Sequence, residues 1–93
     1  MAKVFEVERE HKADILVYEE DREHRADLLV YQVDRDHKAK GDEFWFFEEK
    51  EHRADFKIFW VEKEHKADLK VFFVEREHKA GWNKNHELKG RLG

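Results

Sequence analysis

The sequence predicts an all-β protein assembled from six strand-plus-turn units of 13 residues, and three observations carry that prediction. First, a short signature recurs six times: His11-Lys12-Ala13-Asp14, His24-Arg25-Ala26-Asp27, His37-Lys38-Ala39-Lys40, His52-Arg53-Ala54-Asp55, His65-Lys66-Ala67-Asp68 and His78-Lys79-Ala80-Gly81. Its spacings are 13, 13, 15, 13 and 13 residues, so internal repetition organises nearly the whole chain. Second, each unit opens with an apolar stretch. One of its columns is always aromatic (Phe5, Tyr18, Tyr31, Phe46, Phe59, Phe72), and the column before it is β-branched or Trp (Val4, Val17, Val30, Trp45, Ile58, Val71). Such side chains over five or six residues, bounded by polar clusters, read as a strand. Third, the second half of each unit alternates charge, as in Glu62-Lys63-Glu64-His65-Lys66-Ala67. A segment this short does not sustain an isolated helix, so an ordered turn or extended connection is expected, with a single helical turn as the alternative.

The units run 2–14, 15–27, 28–40, 43–55, 56–68 and 69–81, and the chain reads as one repeat domain, 1–93. Adjacent strand positions are both apolar, so the aromatic and Val columns point to opposite faces and both faces need cover. The regularly spaced aromatics are read as core. Lys3, Lys57 and Lys70, at the second position of their units, imply that one face stays solvated near that end. The one spacing of 15 marks an insertion, Gly41-Asp42, that divides the chain into halves of three units. A glycine there permits the positive φ of a redirected turn. From Gly81 the repeat is abandoned, and Trp82, Leu88 and Leu92 are expected to dock the tail, 82–93, on the body. The invariant Ala of each signature is placed where backbones approach closely.

Composition excludes several function classes. Charged residues make up 45% of the chain, but 19 basic against 23 acidic side chains leave a formal net charge of -4. A nucleic-acid binder would carry a basic stripe instead. Cys is absent, which removes disulfides and thiolate metal sites, and Ser and Thr are absent too, which removes the usual hydroxyl nucleophiles. No apolar run approaches the roughly 20 residues of a membrane span, so a cytoplasmic protein without membrane or nucleic-acid partners, and monomeric, is expected.

No catalytic, cofactor or metal residue is assigned, and no enzyme is expected. The histidines His11, His24, His37, His52, His65 and His78 could bind Zn²⁺ or Ni²⁺ if winding gathered them, and the aromatics could stack on carbohydrate. Either would make a multivalent binding module. The repeat spacing matches no metal-ligand signature, however, and a solvated or structural histidine is the leading reading. Lys79 of the last signature with Lys84, Lys89 and Arg91 of the tail outnumber the tail's one acid, Glu87, which suits solubility or an acidic partner. A catalytic centre needs one uniquely dressed pocket, and six equivalent turns offer none. The leading reading is a structural or interaction module. Its regularity, with only 16 residue types, is that of an engineered or consensus-like sequence.

From physics alone the architecture would be a six-stranded barrel or a short β-solenoid, because threaded chains are rare. Three segments add more: Ala67 to Val74 (Ala-Asp-Leu-Lys-Val-Phe-Phe-Val), Lys38-Ala39-Lys40-Gly41-Asp42 at the midpoint, and Ala80-Gly81-Trp82-Asn83. With six 13-residue units they make the chain resemble the seven-crossing septoil-knot domain family. That resemblance implies a deeply knotted, β-rich torus fold and brings no activity with it. In such a knot the chain circles its centre twice. Each unit should then lie beside units three or four later, and the midpoint insertion should pass the chain between circuits.

Overall fold

A computed structural model describes residues 2–92 and places a strand in the apolar half of every unit. These are β1 (Ala2–Glu6), β2 (Ile15–Glu19), β3 (Leu28–Gln32), β4 (Phe44–Phe47), β5 (Phe56–Trp60) and β6 (Leu69–Phe73), followed by a two-residue β7 (Gly81–Trp82). Each charged half folds into one turn of 3-10 helix, such as Glu10–Lys12 or Glu64–Lys66, entered from an extended residue and closed by the Ala. The 3-10 form suits a connection too short for α-helical nucleation. Among the described residues no helix is long and apolar enough to cross a membrane.

The six long strands form a closed parallel barrel in the order β4-β1-β5-β2-β6-β3, with β3 returning to β4. Each connection advances the chain two positions round the barrel, so β1, β2 and β3 occupy alternate places. The link from β3 to β4 advances one position only, and β4, β5 and β6 then fill the gaps. β1 thus lies beside β4 and β5, three and four units later, and β2 beside β5 and β6. The insertion sits in that single-position link. Gly41 there has φ +69°, and a Cβ at this position would come within 2.6 Å of the Glu43 carboxylate. The twice-wound path and the barrel expected as its alternative are therefore one object.

Register keeps one residue parity inside. Ala2, Val4, Ile15, Val17, Leu28, Val30, Trp45, Phe56, Ile58, Leu69 and Val71 form a buried core with Leu92 of the tail. Trp45 is fully buried and is ringed by Phe47, Phe56 and Phe73 edge to face at centroid distances of 6.2, 5.7 and 6.2 Å. Its indole N–H donates to the Asp42 carbonyl at 2.7 Å, so no donor is stranded. Burying this one side chain is worth about 5 kcal/mol at ~25 cal/mol per Å².

The recurrent aromatic column corrects the sequence reading. Phe5, Tyr18, Tyr31, Phe46, Phe59 and Phe72 stand on the outer face and are half-buried, while the Val column fills the barrel. A six-stranded barrel is too narrow to take six large rings at one level. The connections cover part of the outer face instead: Ala26, Leu29 and Val74 make a second cluster with Tyr31, Phe72 and Ala80. Lys3, Lys57 and Lys70 are half-buried on that same face.

In four units the Asp of the signature fastens the connection to a strand of the other circuit. Asp14 N–H donates to the Lys57 carbonyl at 2.8 Å and its carboxylate accepts from Lys57 N–H at 2.8 Å. Asp27 does the same with Lys70, Asp55 with Lys3 and Asp68 with Leu16. The two units without this Asp, at Lys40 and Gly81, are the units where regular winding ends. Gly81 instead enters β7, antiparallel to the start of β3.

Candidate functional site

Parallel strands all present their C-terminal ends at one mouth of the barrel, where the innermost side chain of each strand is its last inward-facing residue. These residues are Glu6, Glu19, Gln32, Phe47, Trp60 and Phe73, around a cavity of about 430 Å³. Along the chain this column is polar in the first three units and aromatic in the last three. Because the second circuit's strands sit between those of the first, the order round the mouth becomes Phe47, Glu6, Trp60, Glu19, Phe73, Gln32. Acid or amide alternates with aromatic ring at every step.

The aromatic members touch one another above Trp45. Phe73 lies 6.3 Å from Phe47 and 6.0 Å from Trp60, centroid to centroid, both tilted. Trp60 indole N–H donates to the Glu6 carboxylate at 2.5 Å, which fixes the indole plane against the rim. Glu6, Glu19 and Gln32 are exposed while the three rings are half-buried. An apolar floor with convergent polar groups at its edge is the usual form of a small-ligand site.

The opposite end is closed by the tail. Asp42, buried within the insertion, accepts Leu92 N–H at 2.9 Å on one oxygen, and Gly90 N–H at 2.5 Å and Trp82 indole N–H at 2.9 Å on the other. Asn83 bonds Asp27, Glu23 and Ala26 backbone oxygens, and His86 pairs with the Asp68 carbonyl at 3.0 Å. Leu92 is buried, and Trp82 and Leu88 pack on the core, as expected of the tail. The expected positive φ at Gly41 is present too.

Two units place a carboxylate in a column that is otherwise Val, Glu20 and the half-buried Glu48. Glu20 is buried where other units carry Val7, Val33, Val61 and Val74, and its Oε2 has no partner. Burial pushes its carboxyl above the ordinary carboxylate range, helped by a hydrogen bond to Glu64 and by that neighbour's charge. The hydrogen bond from Glu20 holds Glu64 below that range, with Lys70 Nζ at 3.4 Å assisting.

The six signature histidines are not brought together. Each lies exposed on its own 3-10 turn round the outside, and among the described residues no group of three or more His, Cys, Asp or Glu side chains could hold a metal ion. The mouth ring, by contrast, was missed in the sequence. Its signal was the polar-then-aromatic split of one column, which gains meaning only when strand order is known.

A closed parallel barrel that its own chain encircles twice, with the second circuit threaded between strands of the first, defines a torus-knotted β module. The chain belongs to the 7(1) septoil knot domain family, which matches residues 1–83. No curated protein and no solved structure matched it.

Proposed function

We propose that this protein is a non-enzymatic structural or interaction module, monomeric and cytoplasmic, whose contribution is a shape that persists once formed. The observation that supports this reading is the interleaving of circuits. Every strand of β4–β6 lies between two strands of the other half or at the seam, so none can leave without parting two ladders. Catalysis is disfavoured because the six turns repeat nearly the same exposed residues. Near-balanced charge gives nucleic acid no basic stripe to bind. The regular sequence suits an engineered or consensus-like member of the family, selected for topology and stability.

A denaturant-jump experiment tests persistence. Extraction of a threaded chain makes unfolding slow, so a half-life of about an hour or more in moderate guanidinium is expected, at the slow end for small domains. Complete unfolding within about a second would overturn the proposal.

A further inference from the structure

The mouth ring has a chemistry that the knot does not require. A column that only sealed the barrel would be apolar in every unit, as the Val column is, yet three of its six members are acid or amide. Glu6 and Glu19 flank Trp60 on either side, and neither makes an ion pair among the described residues. No basic side chain lines the cavity. Two exposed carboxylates therefore share the mouth with three half-buried aromatic rings.

We propose that this mouth is a binding site for a small organic ammonium ion of the quaternary, methylated type. Aromatic faces attract a cation through their quadrupole, most strongly Trp, and attract best a cation whose own hydration is weak. The carboxylates add charge complementarity at the rim, and Gln32 offers an amide for a hydroxyl or carbonyl carried on the ligand. A hard metal ion fits poorly, since it demands a shell of oxygen ligands and here rings separate the carboxylates. The mouth is a shallow depression open to solvent, about 430 Å³ in volume, with room for a small organic cation. The Glu6 to Trp60 hydrogen bond holds the indole in place before the ligand arrives, which lowers the ordering cost of binding.

Titration of the ¹⁵N-labelled full chain with tetramethylammonium and choline, followed at the Trp60 indole resonance, tests the site. Saturable shifts at Trp60, with a dissociation constant of about a millimolar or tighter, are expected. The neutral isosteres tert-butanol and 3,3-dimethylbutanol should shift it at least about tenfold more weakly. The exposed double variant Glu6→Gln, Glu19→Gln keeps the hydrogen-bond acceptor for Trp60 and the fold, and should weaken binding about tenfold or more. No saturable Trp60 shift up to about 50 mM ligand, an equal response to the isosteres, or undiminished binding by the double variant would each overturn the proposal. Because none of these readouts depends on unfolding rate, the site can fail while the persistence reading stands, and the reverse.

Discussion

Glu20 shows how one side chain can oppose its own repeat. Val at this column faces the outer layer in most units, whereas Glu20 brings a carboxyl with an unpartnered oxygen into the same place. A buried polar group without a partner costs roughly 1–3 kcal/mol, so Glu20→Val is expected to raise stability by about that amount at neutral pH, measured by equilibrium denaturation. The pH dependence has a definite sign. Glu20's folded pKa is raised, so its contribution is fully present below the ordinary carboxylate value and is lost as pH rises through the raised one. The gain from Glu20→Val should therefore shrink in acid. A gain that is constant from acid to neutral pH would show that the carboxyl is not strained by ionisation. Glu64 has the opposite sign and is exposed, so its effect appears only as acid lowers pH through its depressed value.

At the scale of elements, the Asp that ends four of the six signatures does more than close a turn. It takes both backbone groups of the second residue in a strand of the other circuit, across 52 or 43 positions of sequence. Asp55→Ala removes the carboxylate acceptor from Lys3 N–H and is expected to cost about 1–2 kcal/mol, with faster amide exchange at Lys3 as the specific sign. Asp42 performs the related task for the tail. Asp42→Ala leaves Leu92 N–H, Gly90 N–H and the Trp82 indole without their acceptor. A loss of about 2–4 kcal/mol is expected, together with early proteolysis after Trp82 and greater solvent quenching of its fluorescence. A variant whose tail stays as protected as the parent's would show that Leu92 and Trp82 packing suffices without Asp42. Strands and turns were legible in the sequence because both are local: a β-branched and aromatic run for one, a short charged run for the other. The side facing inward had one signal in the sequence, Lys3, Lys57 and Lys70 on the same face as the aromatic column; both columns are otherwise apolar, and barrel width gives the reason that the Val column enters.

For the whole molecule, the connection lengths and the winding explain one another. A step of two strands covers about 10 Å sideways, and a five-residue strand must be retraced over about 16 Å. The segment Val7 to Asp14 can span at most ~28 Å, so short strands and one compact turn fit a 13-residue period. Strand order itself could be anticipated only through the family resemblance, because every unit carries nearly the same local signals and none says which unit lies beside it. The mouth ring inherits that difficulty: Glu6 and Trp60 are far apart in sequence and neighbours only after threading. The high sequence separation of nearly all strand pairs also implies slow folding.

The central claim is that strands of the two halves alternate round one closed sheet. Interstrand nuclear Overhauser effects in isotope-labelled protein test it most directly. Contacts joining Ile15 with Ile58, Val17 with Leu69 and Val4 with Phe56 are expected from the register. A set joining β1 to β2 and β2 to β3 as direct neighbours would contradict it.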